Sequence, residues 1–135
     1  MQHDQFLGKV QATAHLADHG EAERATRATL ETLGERIPAG LAENLAARLP
    51  HEIGEHLRRT TARTRTGSGA RFDMLEFIAR VAARAGVNEA RAAALSHAVA
   101  EVVDEATDGM ISTKVAQSLP EDIRALLLFG LAAAV

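Results

Sequence analysis

One eight-residue pattern occurs twice in this chain, and it constrains the fold more than any other feature. Leu49-Pro50-His51-Glu52-Ile53-Gly54-Glu55-His56 is followed by Leu57, and Leu119-Pro120-Glu121-Asp122-Ile123-Arg124-Ala125-Leu126 by Leu127. Each copy reads as a leucine, a proline, acids, then apolar residues at helical spacing. Proline suits the first helical position, where its missing N–H would have no partner. Acids in the next turn complement the positive end of the helix dipole. The pattern predicts a helix opening at Pro50 and another at Pro120.

The match extends well beyond these segments. Phe6 and Val10 recur as Phe77 and Val81, 71 positions on. Ala28, Glu35, Ala46, Leu49, Pro50, Ile53 and Leu57 recur as Ala98, Glu105, Ala116, Leu119, Pro120, Ile123 and Leu127, 70 positions on. One residue is therefore lost between the two registers, near His19-Gly20. The retained identities fall mostly on apolar stripes and caps, as expected of a duplication in which packing must be kept.

Helical periodicity divides each copy into four helices. In the first, Phe6, Leu7, Val10 and Ala14 share a face, and Asp18-His19-Gly20 interrupts the pattern. Ala22, Ala25, Thr29, Leu30, Leu33 and Ile37 form the stripe of a longer helix, which Pro38-Ala39-Gly40 ends. Leu41, Leu45 and Leu49 mark a short helix, and Ile53 and Leu57 the fourth. The second copy repeats this with Phe77, Ile78, Val81 and Ala85, then Leu95, Val99, Val102 and Val103, then Ile111, Val115 and Leu119. Asn88 is placed to cap its long helix. The expected architecture is all-α: eight helices as two tandem four-helix repeats packed together, with repeat one at residues 1–57, a basic linker at 58–71 and repeat two at 72–135. The long helices 21–36 and 88–106 should be central to each repeat.

The chain resembles an uncharacterised bacterial family of small proteins, domain-of-unknown-function family 2267. The resemblance rests on Phe6-Leu7-x-x-Val10, on Glu21-Ala22-Glu23-Arg24-Ala25-Thr26-Arg27-Ala28-Thr29-Leu30-Glu31-Thr32-Leu33-Gly34-Glu35-Arg36, and on Leu45-Ala46-Ala47-Arg48-Leu49-Pro50. It covers nearly the whole chain and implies a helical tandem repeat. It implies no catalytic or ligand residue.

Composition narrows the chemistry. The absence of cysteine excludes disulfides and thiolate metal sites. With aromatics at 3%, alanine, leucine and valine must fill the core, which suits closely packed helices. The N-terminal residues lack the basic and apolar regions of a signal peptide. The apolar run from Ala125 to Val135 is too short to span a membrane. A cytoplasmic location is the expectation.

Histidine and acidic motifs each miss a requirement. His51 and His56 stand five apart, whereas two zinc ligands on one helix face need i, i+4 spacing. His15 and His19 have that spacing, but Asp18 and Gly20 suggest that the helix ends there. Asp104 to Val115 imitates a calcium loop, yet Ala106 and Val115 stand where oxygen ligands belong. No nucleophile motif or phosphate loop is present. The expectation is no catalytic residue, no metal and no cofactor.

Charge is patterned. Residues 1–57 and 72–135 each carry net −4, while 58–71 carry +5 from Arg58, Arg59, Arg63, Arg65 and Arg71. Arg58, Arg59, Arg63 and Arg65 are the candidate contacts to a polyanion. No aromatic residue lies among them to stack a base, and the acidic flanks would repel a nucleic-acid backbone. The competing reading pairs these arginines with the acidic faces of the repeats. The apolar tail after Leu126 has no counterpart after His56-Leu57, so it must pack against repeat one or against a second chain. Packing within the chain is preferred, because it loses no translational freedom. Phe129 and Leu131 are its candidate anchors or partner interface. The functional expectation is a non-enzymatic helical interaction or structural module with an unknown protein partner. A homo-oligomer through the tail, or weak nucleic-acid association through the linker, are the alternatives.

Overall fold

The computed structural model describes residues 1–61 and 70–130. Arg63, Arg65 and Leu131 lie outside the described residues. Eight helices follow one another among those described: α1 His3–Thr13, α2 His19–Arg36, α3 Ala39–Ala47, α4 His51–Thr61, α5 Met74–Ala85, α6 Glu89–Ala106, α7 Ile111–Val115 and α8 Glu121–Phe129. The short α7 is a π-helical turn. No strand occurs among the described residues.

Helix boundaries follow local chemistry. Asp18, Asp73 and Asn88 each adopt extended backbone and accept a hydrogen bond from the amide three residues on. Each so satisfies one of the orphan donors of its helix. Asp18-His19-Gly20 is thus the start of α2 as well as the break after α1. Pro50 and Pro120 sit one position earlier than the first-turn expectation, immediately before α4 and α8. Their carbonyls accept from Gly54 and Arg124 at 2.9 and 3.0 Å, so the two prolines play matching parts. The turns that end α1 and α5 also match. His15 and Gly86 both take left-handed φ, 56° and 69°. Leu16 and Val87 then donate to Gln11 and Ala82 at 2.9 and 3.1 Å.

The helices pack in a cross-linked order. α1 rests on α2 and on α6, and α5 rests on α6 and on α2. α4 covers α2 as α8 covers α6, and α2 meets α6 directly. The first helix of each half therefore closes onto the long helix of the other half. A single hydrophobic core results, with Phe6, Leu33, Leu45, Phe77, Val103 and Leu126 all in one cluster. Leu49 and Leu119 are buried as their stripes predict. The long helices are buried on more than one side. Thr26, Ala28 and Thr32 of α2 and Ala92, Ala93 and Ala100 of α6 are buried besides the stripe residues. Small side chains make this possible, because helices on several sides must come near the axis.

The tail is described only as far as Gly130. Leu126 and Leu127 are buried against α6, but Phe129 is 68% exposed and anchors no core. The two halves are joined instead by α1 on α6, α5 on α2 and α2 on α6, so no tail is needed to bridge them. α4 continues through Thr61, which makes Arg58 and Arg59 helical residues.

Candidate binding cleft

The charged groups of the first half are largely spent on one another. Glu31 of α2 receives Arg59 from α4 at 2.6 Å and Arg84 from α5 at 3.6 Å. Glu35, one turn on, receives Arg84 at 2.7 Å and Arg80 at 3.3 Å. Arg84 also donates to Thr32 Oγ1 at 2.7 Å. Burial pushes the Glu35 carboxyl up, but the Arg84 and Arg80 guanidiniums outweigh it and hold the group below its ordinary value. These contacts tie α2, α4 and α5 together. Arg58 is held separately, by Glu43 at 3.1 Å and Glu55 at 3.0 Å. Of the candidate polyanion contacts, Arg58 and Arg59 are thus engaged by carboxylates, as the competing reading has it.

The corresponding place in the second half is open. A cleft of about 430 Å³ lies between the C-terminal turn of α1, one face of α6 and the end of α8. Ala90, Ala94 and Ala98 form its α6 wall, and their small side chains leave the volume. Thr13 at the end of α1 and His15 in the turn after it border one side, and Phe129 at the end of α8 and Gly130 just beyond it border the other. Its polar groups are Thr13 and His15 on the α1 side and Arg91, His97 and Glu101 on α6. His97 Nδ1 lies 2.9 Å from the Leu127 carbonyl, to which it donates, fixing α8 to α6. Glu101 has no hydrogen bond or ion pair among the described residues.

The motifs singled out in the sequence do not come together. His51 is exposed on α4, whereas His56 of the same helix is 8% exposed. His15 lies in the turn after α1 and His19 in the first turn of α2, so the two share no helix face. Asp104 Oδ1 accepts from the Ser112 backbone at 2.9 Å and its hydroxyl at 3.2 Å. It thereby caps the α6–α7 turn, in which Asp108 and Gly109 take φ of 53° and 90°. Among the described residues no group of three or more histidines and acids could hold a metal ion. Of the two candidate tail anchors, Phe129 and Leu131, only Phe129 lies among the described residues, and it stands at the rim of the cleft.

His56 is buried on α4, and its titration is perturbed. Burial pushes it below its ordinary value near 6.5, and the Arg59 guanidinium adds to this, against the weaker pull of Glu31 and Glu23. Its ring nitrogen lies 3.3 Å from Arg59. A depressed folded-state value means that the unfolded chain takes up the proton first as pH falls. The contribution of His56 is therefore complete above about pH 6.5 and is lost from there down to its folded value. Denaturant melts at pH 7.5 and 5.5 should show a stability loss that is smaller in His56→Gln. An equal loss in both would exclude His56 as its source.

Sequence reasoning did not find the cleft. Glu101, Thr13 and His97 belong to no motif, and each is an ordinary surface residue type. The signal was available only by reading charged positions across the two registers. Glu31 and Glu101 match, but Arg84 is replaced by Thr13 and Arg59 by Phe129.

A family model described as "Uncharacterized conserved protein (DUF2267)" matches residues 3–126 of the chain. No curated protein matches it. No helix among the described residues is long and apolar enough to cross a membrane.

Proposed function

We propose that this chain, which belongs to the uncharacterised DUF2267 family, is a non-enzymatic helical interaction module that holds a protein partner at the cleft between α1, α6 and α8. One observation carries the reading: Phe129, a large aromatic side chain 68% exposed, stands at the rim of a 430 Å³ cleft with an alanine wall. An exposed aromatic beside a concave apolar surface has the composition of an interface anchor. The halves behave in this reading as two copies of one unit that have diverged. The first spends its arginines on sealing its surface, and the second leaves the same surface open. The engagement of Arg58 and Arg59 by carboxylates weighs against the alternative of nucleic-acid association, since a polyanion would have to displace Glu43, Glu55 and Glu31.

Phe129→Asp should leave the fold intact, because the side chain is already in water. Crosslinked extracts of the native cell should then yield a stoichiometric protein partner with the wild type and lose it with Phe129→Asp. Recovery of the same partner at the same yield with both would exclude this surface.

A further inference from the structure

The two halves answer each other position by position around α2 and α6. Lys9 and Glu105 form an ion pair between α1 and α6. Arg80 and Glu35, 71 and 70 positions away, form its counterpart between α5 and α2. One turn earlier on the long helices the correspondence breaks. Glu31 meets two guanidiniums, Arg84 from the end of α5 and Arg59 from α4. Glu101, at the same place on α6, shares a cleft with Thr13, in the sequence position of Arg84, and Phe129, in that of Arg59. All three residues line the cleft. The carboxylate has been kept while both cations that would cover it are gone, and the space they would fill is the cleft itself.

Resting on the interaction-module reading, we infer that the cleft receives an arginine side chain of the partner protein, its guanidinium on Glu101 and its aliphatic stem against Phe129 and Ala98. Charge complementarity selects a cation, and the geometry of the first half shows that guanidinium groups suit this carboxylate position. A guanidinium can satisfy both oxygens of a carboxylate at once, which an ammonium cannot. The planar group also suits an aromatic wall. The chain makes such a contact itself, where Arg80 lies 4.0 Å over the Phe72 ring. Arg91, the permanent cation of the same cleft, is ten residues from Glu101 on α6. That places it about 15 Å away along the helix axis, beyond a Debye length at physiological salt. It therefore does not cancel the Glu101 charge. Two histidines also line the cleft: His15 stands on the α1 side, and His97 has its Nδ1 hydrogen committed to the Leu127 carbonyl.

The test uses the full chain and acetyl-arginine-methylamide as probe, followed by NMR titration. A ligand of this size in a preformed cleft should bind with a Kd of roughly 1 mM. Acetyl-citrulline-methylamide, of nearly the same shape without the charge, should bind at least about tenfold more weakly. Glu101→Gln should weaken the arginine probe by a similar factor while its melting temperature stays near that of the wild type. The decisive variant is the double substitution Thr13→Arg with Phe129→Arg, which installs in the second half the residue types of the first. It should melt at or above the wild-type temperature and lose the probe. The inference is overturned if the probe does not bind, if citrulline binds as well as arginine, or if Glu101→Gln or the folded double variant keeps wild-type affinity. These outcomes are separate from the fate of the interaction-module reading, which stands or falls on the Phe129-dependent capture of a partner.

Discussion

Phe77→Ala should be the most damaging single truncation in this protein, with Phe6→Ala close to it. Both rings are fully buried, Phe77 on α5 and Phe6 on α1, 71 positions apart in the sequence. Those are the two helices that close each half onto the long helix of the other. With aromatics so scarce, no neighbouring large ring can fill the gap; Phe72, 6.4 Å from Phe77 between ring centres, is only partly buried and held by Arg36 and Arg80. The walls are helices, which move as units and do not collapse into a hole. Each truncation should cost about 3–5 kcal/mol, a large share of the roughly 5–15 kcal/mol that holds a domain together. The melting temperature should fall by roughly 10–20 °C. A loss below about 1 kcal/mol, measured by urea unfolding for both variants, would show that α1 and α5 do not clamp the halves.

Gly34→Ala should be the most damaging gain of a single methyl. Gly34 lies where α4 crosses α2, and a Cβ there would stand 2.6 Å from the Leu57 carbonyl oxygen. The obstruction is helix backbone, so α4 must move away as a unit. The cost should be about 1–3 kcal/mol, although alanine is the better helix former by about 1 kcal/mol. Gly40→Ala is the control: nothing lies within 4 Å of its Cβ position in α3, and the same substitution should be neutral or stabilise by about 0.5–1 kcal/mol. Equal melting curves for the two variants would mean that α4 does not pack on α2 this closely.

Gly54 shows the same device between α4 and α3, where a Cβ would lie 2.7 Å from the Ala46 carbonyl oxygen. Its counterpart is Arg124, and Gly34 corresponds to Asp104. The close packing of α3 on α4 accordingly has no equal between α7 and α8. Instead Asp104 turns to the amide of Ser112 and holds the π-helical segment. These substitutions look like scatter in the sequence. In the structure they separate a tightly packed half from a more open one.

The sequence by itself determined the helices, their order and most of the buried face. Those follow from local rules: apolar residues at helical spacing, Asp18, Asp73 and Asn88 as caps, and prolines before α4 and α8. Each acts within a turn or two and can be read from one stretch of chain. The partners of each face, by contrast, were a tertiary decision. Periodicity says that Phe6 and Phe77 are buried but not that α1 leans on α6 and α5 on α2. The cleft is further from sight, because residues from α1, α6 and α8 line it together. Glu101 is an ordinary helix-surface acid until the fold sets it beside Thr13 and Phe129, and Glu31 becomes its opposite only because Arg59 and Arg84 arrive from two other helices. An ion pair between distant helices leaves no periodic mark on the chain, since charge complementarity acts through space and not along the backbone.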